Sequence, residues 1–263
     1  MKITKVLVSC DSHGDYASMF PLVHKMWKSI CDYDCIAIYV GTSLPAVLEN
    51  FKNKFPDSVI LYKPLPNIHT TFQAQCIRLL YPALMENETV LISDMDIVPL
   101  KKQHFVELLD SYNKENFVTY TDRYVKQKMF AMCYNAAHCS VWQTIFNVKK
   151  IDDISTNLIQ WYKDEYTGSK NCIGWFTDQE KLYSNAIKYD KIIILNDIHT
   201  NYKRLDKKQK KFILENKQVI CQSIHNYSDF HFIRPYSKFH KIINNIALCA
   251  VNNSNKEPFQ DNV

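Results

Sequence analysis

The run Thr89-Val90-Leu91-Ile92-Ser93-Asp94-Met95-Asp96-Ile97-Val98 carries an apolar stretch directly into two carboxylates one residue apart. Carboxylates are hard oxygen ligands, and a divalent ion such as Mn2+ or Mg2+ takes them while keeping positions open for substrate phosphates. Open α/β sheets bind ligands at the carboxyl ends of their strands, so a pair at this place can clamp a metal diphosphate. The metal would neutralise the charge that gathers on a departing nucleotide. A bare Asp-x-Asp is also an ordinary turn or capping pair. The buried-type strand before it and the residues described below favour chemistry, with Asp94 and Asp96 as the expected metal ligands.

The elements that must position this pair are legible as a βαβ rhythm. Apolar runs at Val6 to Cys10, Cys35 to Val40, Val59 to Tyr62 and Val90 to Ser93 read as strands. Met19, Leu22, Val23, Met26 and Ile30 repeat at helical spacing between the first two, and Leu48, Phe51 and Phe55 do so after Pro45. Thr70 to Pro82 reads as a helix whose charged residue is Arg78. Beyond the fourth strand the pattern loosens. Strands are predicted at Phe117 to Thr121, Ile192 to Leu195 and Val219 to Ser223, a helix start at Asp153, and a closing helix from Phe239 to Val251. Thr177 and Glu180 have capping-box spacing, which would put Asp178 and Gln179 in the first turn of a helix.

From Thr70 to Leu100 the chain resembles the donor-site region of GT-A glycosyltransferases. Ala74, Arg78-Leu79, Pro82, Val90 to Ile92 and Asp94-x-Asp96 match that pattern in order and spacing. The resemblance implies an α/β, Rossmann-like GT-A domain with a mixed central sheet flanked by helices. It also implies a transferase that moves a sugar from a nucleotide diphosphate sugar, first of all a UDP-sugar, to a glycan or other hydroxyl acceptor. Arg78 would help hold the donor, although a surface ion pair would also explain it. Asp178-Gln179 resembles the pair that faces the donor sugar in retaining enzymes of the glycogenin and galactosyltransferase type, and is the expected catalytic pair. Gln179 cannot act as a base, which favours retention. Trp175 would wall the sugar or sit in the core.

In such enzymes a C-terminal histidine completes the metal shell. His225 and His231 compete for that role; His231 is preferred as the nearer to Arg234-Pro235-Tyr236, which resembles a diphosphate-holding element. Ser9 and Asp11, after the first strand, fall where such enzymes recognise the nucleobase, with Tyr39, Gly41 and Thr42 as further wall; a polar turn explains Asp11 equally well.

The chain has 263 residues and is 46% hydrophobic, enough for one domain. The expected limits are residues 1–252, with 1–100 as donor half and 101–252 as acceptor half, and 253–263 as a flexible tail. The first residues are too quickly interrupted by Asp11 and His13 to make a signal peptide or anchor. A cytoplasmic location follows, or the host cytoplasm if the source is a virus, since an unanchored enzyme of this size resembles bacterial or large-virus transferases.

Nine scattered cysteines without a C-x-x-C pair argue against a disulfide framework or zinc site and for a reducing compartment. Three matches to the glycosylation acceptor pattern, at Asn87, Asn226 and Asn252, are read as chance. The net charge of +5 suits an anionic small ligand and not nucleic acid. Its densest part, Lys203 to Lys211, is read as a solvated face, with a membrane-surface or phosphate-bearing acceptor contact as the sharper alternative. Four glycines leave no phosphate-cradling loop. The other readings are a sugar-nucleotide- or glycan-binding protein on a degenerate transferase fold, and a phosphatase of the haloacid-dehalogenase type, whose Asp-x-Asp lies near the start of the chain.

Overall fold

Residues 1–254 are described by the computed structural model. Its strands are Lys5–Cys10 (β1), Asp34–Val40 (β2), Val59–Tyr62 (β3), Thr89–Ile92 (β4), Ile97–Pro99 (β5), Phe117–Thr119 (β6), Asn135–His138 (β7), Ile192–Ile194 (β8), Arg204–Leu205 (β9) and Asp229–His231 (β10). The main sheet runs β3-β2-β1-β4-β7-β6-β8. Its first four strands are parallel, β7 is antiparallel to both neighbours, and β8 is parallel to β6. A smaller sheet runs β5-β10-β9.

The helices are Phe20–Cys31 (α1), Ala46–Lys54 (α2), Thr70–Leu80 (α3), Lys102–Phe105 (α4), Cys139–Phe146 (α5), Ile151–Trp161 (α6), Thr177–Ala186 (α7), Lys210–Glu215 (α8), Lys217–Gln222 (α9) and Tyr236–Ser254 (α10). Side chains alternate across a strand, so β1 feeds two cores. Val6 and Val8 pack with Val23, Met26 and Trp27 of α1 and with Ile243 and Ile246 of α10. Leu7 points the other way, to Phe72, Ile77 and Leu80 of α3, beyond which lie Trp142 and Leu158. Burying a side chain of this size stabilises by about 1.5–3 kcal/mol. Covered on both faces, β1, β2 and β4 read as apolar runs, which is why they were visible in the sequence.

The segment Val219 to Ser223, expected as a strand, is helix α9. Only Ile220 of that helix reaches the core, and so short an apolar run carries no decisive period. Helix α9 packs on α10, and there Cys221 pairs with Cys249 in a disulfide, Cα atoms 5.4 Å apart. No disulfide framework was expected, and this single pair departs from that reading while the other seven cysteines are free. Helix α6 starts at Ile151, not at Asp153, because the Asp153 carboxylate accepts hydrogen bonds from the Lys149 and Lys150 amides (2.7 and 3.0 Å) from inside the first turn. Helix α10 runs through Ser254, and the rest of the expected tail, 255–263, lies outside the described residues. Strands β7, β9 and β10 escaped the pattern because Asn135 and His138, Arg204, and Asp229 and His231 leave no apolar run, and β5 because it follows Asp96 directly.

Asp229 fastens the small sheet to the large one. It is fully buried and accepts from the Tyr134 hydroxyl (2.6 Å), the Tyr202 hydroxyl (2.7 Å) and Arg204 Nη2 (2.7 Å). Removing one partner of such a pair leaves a buried charge alone. Asp229→Ala is therefore expected to lose about 3–5 kcal/mol of stability; urea unfolding checks this, and a loss below about 1 kcal/mol would contradict the anchoring role.

Candidate active site

A cleft of about 1350 Å3 opens where β1 and β4 end, closed on the other side by α7, β10 and the residues after β9. Asp94 and Asp96 stand on the short link from β4 to β5, so they join the large sheet to the small one. Met95 between them is buried in the core and pins the link. Backbone bonds from Ile97 to the Asp94 carbonyl (3.3 Å) and from Phe232 to the Asp96 carbonyl (2.8 Å) set its shape.

Arg78 reaches this link from α3. Its Nη1 donates to the Ser93 carbonyl (3.0 Å) and to the Asp94 carboxylate, and Nη2 lies 3.4 Å from Asp178 Oδ2. The guanidinium is buried and engaged by protein groups, so it holds Asp94 and Asp178 in place and is no surface ion pair. Burial opposes the charge on Asp94, and Arg78 more than offsets it, keeping the carboxyl below its usual range. Asp178 shows the opposite balance. Burial pushes its pKa up to about 6, with Arg78 and the Gln179 amide only partly opposing.

Asp96 gathers three nitrogens on one oxygen. Oδ2 lies 2.9 Å from His231 Nε2 and 3.4 Å from Lys207 Nζ, and it accepts from Arg234 Nη2. Although burial works against ionisation, His231, Arg234 and Lys207 together hold Asp96 well below the carboxylate range. Burial also disfavours the His231 imidazolium, yet Asp96 and Asp206 raise its pKa; Asp206 Oδ2 stands 3.6 Å from Nδ1. Arg234 lies over the Tyr16 ring, 4.2 Å from its centroid.

The donor set fits a hard divalent ion. Asp94 and Asp96 would offer carboxylate oxygens and His231 an imidazole nitrogen, although His231 Nε2 and Asp96 Oδ2 are engaged with each other at a hydrogen-bond distance of 2.9 Å. Among the described residues no three such groups form a ready cage, and Asp94 is held by Arg78. The arrangement suits an ion that draws the rest of its shell from a diphosphate and water.

Ser9, Asp11, Arg78, Asp94, Asp96, Asp178, Gln179, His231 and Arg234 all line this one cleft. Asp11 is nevertheless occupied by its neighbours: Oδ2 accepts from the hydroxyls of Thr70 and Thr71 (both 2.8 Å) and Oδ1 from the His13 amide (3.0 Å), fastening β1 to α3. Tyr39, Gly41 and Thr42 do not line the cleft. Tyr39 is buried, and its ring lies 2.5 Å from where a Gly41 side chain would begin. His225 is exposed on a turn and does not line the cleft, which leaves His231 as the histidine at Asp96.

The capping box does not form. Helix α7 begins at Thr177 with Phe176 as its cap, and Thr177 Oγ1 is buried without a hydrogen-bond partner. Asp178 and Gln179 still fall in the first turn, where the N-terminal dipole favours negative charge. Trp175 is half-buried, stacks on Tyr166 (centroids 6.4 Å apart) and lines the cleft. The solvated reading of the basic run fails at Arg204 and Lys207, which line the cleft. His104, Tyr120 and Tyr202 line it too and were missed; nothing local marks an aromatic whose partners lie far along the chain.

No protein-family model matches the chain, and no curated protein sequence does. Solved structures match its fold. The galactosyltransferase LgtC, solved in complex with donor and acceptor sugar analogs, is 14% identical with TM-score 0.51, over 98% of this chain and 98% of that one. The glycosyltransferase GlyE of Streptococcus pneumoniae TIGR4 is 13% identical with TM-score 0.53, over 100% of this chain and 67% of that one. The chain thus has the GT-A fold, a mixed central sheet flanked by helices, as its sequence led one to expect. Likeness at these identities is one of fold.

The Asp178 environment has a signature in stability. A carboxyl raised to about 6 when folded contributes stability that is full below its unfolded pKa, near 4, and is lost as pH rises through 6. Asp178→Asn removes that loss. In excess chelator the variant is expected to be about 1–3 kcal/mol more stable than wild type at pH 7.5, the gain vanishing near pH 4. Denaturant unfolding at the two pH values checks this; a variant less stable at pH 7.5 would contradict the burial argument.

Proposed function

We propose that the protein is a metal-dependent glycosyltransferase that moves a sugar from a nucleotide diphosphate sugar, first of all a UDP-sugar, to a glycan or other hydroxyl acceptor, with retention of configuration. One observation carries the reading: Asp94, Asp96, His231, Lys207 and Arg234 converge at the carboxyl end of β4, inside the cleft of a GT-A fold. Anionic carboxylates able to share a divalent ion stand there beside cations able to meet a diphosphate. In this reading residues 1–100 hold the donor and 101–252 supply the acceptor side.

Asp94, Asp96 and His231 would hold Mn2+ or Mg2+, and the ion would neutralise charge on the leaving diphosphate. To serve as a ligand, His231 must give up the Nε2 contact with Asp96 and present a lone pair. Arg234 faces the diphosphate. Ser9 and Asp11 line the end of the cleft at β1, where the nucleoside would lie. Arg78 positions Asp94 and Asp178 together.

Asp178 and Gln179 are the groups for the sugar. Asp178 sits beside a fixed cation, and its partner Gln179 can donate and accept hydrogen bonds but cannot take a proton as a base. That combination suits stabilising positive charge as it develops on the donor sugar more than deprotonating an acceptor on the opposite face.

Two experiments test this. A panel of nucleotide sugars screened by thermal shift should give one donor class whose stabilisation requires Mn2+; with that donor, Asp96→Ala should lower transfer by about a hundredfold or more with the fold intact. Stabilisation that survives excess chelator would contradict the metal role. Proton NMR of the glycoside formed from a donor of known anomeric configuration should show retention. An inverted product would recast Asp178 as a general base.

A further inference from the structure

Lys207 stands outside the Asp-x-Asp, Asp-Gln and Arg-Pro-Tyr elements, yet its ammonium reaches the same carboxylate oxygen as His231 and Arg234. A carboxylate oxygen has two lone pairs, so three nitrogens crowd Asp96 Oδ2; Oδ1 takes no part in these contacts, but a cation arriving there would still meet their positive charge. An ion that takes Oδ2 must displace some of them. Which ones can leave is set by how each is held.

The turn that carries Lys207 is fixed at its base. Arg204–Leu205 pairs with β10, and Asp206 caps the turn by accepting from the Lys208 amide (2.8 Å) while it faces His231 at 3.6 Å. The Lys207 side chain itself is 37% exposed and has one contact, at 3.4 Å, the longest of the three. Arg234, at 35%, is steadied by the Tyr16 ring, whereas His231 is largely enclosed. Lys207 is thus the group freest to turn from Asp96 toward the cleft.

We infer that Lys207 is an exchangeable counter-ion: it neutralises Asp96 when no metal is bound, and once a divalent ion takes Asp96 it moves to the diphosphate. The inference rests on the donor-site reading above and deepens it. Its consequence is a coupling of opposite signs. Without nucleotide, Lys207 competes with the metal for Asp96; with nucleotide, the released ammonium adds a charge-assisted bond to a phosphate oxygen. Metal and nucleoside diphosphate should then each strengthen the binding of the other, as linkage requires.

The test is isothermal calorimetry on wild type, Lys207→Gln and Lys207→Arg, with Mn2+ alone and then with the nucleoside diphosphate that wild type binds best among UDP, GDP, ADP and CDP at saturating Mn2+. Lys207→Gln is expected to bind Mn2+ alone at least about threefold more tightly and the nucleoside diphosphate at least about tenfold more weakly, with Lys207→Arg restoring both toward wild type. A merely structural lysine would weaken both ligands or neither, and either result overturns the inference while leaving the donor site standing. A wild-type protein that binds neither Mn2+ nor any of the four nucleotides overturns the donor-site reading, and this inference with it.

Discussion

Carboxylates drawn out of water at the ends of β4 and β10 need cations, and much of the architecture follows from supplying them. An isolated buried carboxylate costs several kcal/mol. Arg78 therefore rises from α3 between Asp94 and Asp178, Arg204 returns from β9 to Asp229, and Lys207, His231 and Arg234 converge on Asp96. These pairs tie α3, α7 and the small sheet to the carboxyl edge of the large one. Replacing them with apolar groups could keep the fold. It would remove the charges on which the proposed metal-diphosphate site rests.

Charge compensation is uneven across the cleft, and the unevenness sorts the carboxylates by task. Asp94 and Asp96 are held ionised, the state a metal ligand needs. Asp178 has only a share of Arg78 and sits near the boundary between its two forms. Asp229 faces two tyrosines and an arginine, an arrangement that anchors the small sheet.

The first strands were legible because parallel strands covered on both faces announce themselves as apolar runs; β2 ends at Val40, where the pattern puts it, and is buried from Cys35 onward. Asp94 and Asp96 were legible for the same reason, being the first charges after such a run. Asp178 and His231 came only through a family resemblance, since nothing in their neighbourhood requires them to face Asp94 and Asp96. Lys207 was hidden more deeply. It sits in a run of like charges that mostly face solvent, and the separation of 111 residues from its partner leaves no local trace. Helix α9 was misread because only Ile220 is anchored, so neither period is enforced.

The central claim is that Asp94 and Asp96 hold a divalent ion against a nucleoside diphosphate. Electron paramagnetic resonance of Mn2+ tests it directly, because the free aqua ion gives a strong six-line spectrum that fades on binding. In the presence of the nucleoside diphosphate, wild-type protein is expected to remove one Mn2+ per chain beyond what the nucleotide binds by itself, and Asp96→Ala none. Equal depletion by the two proteins, or none by either, would contradict the claim.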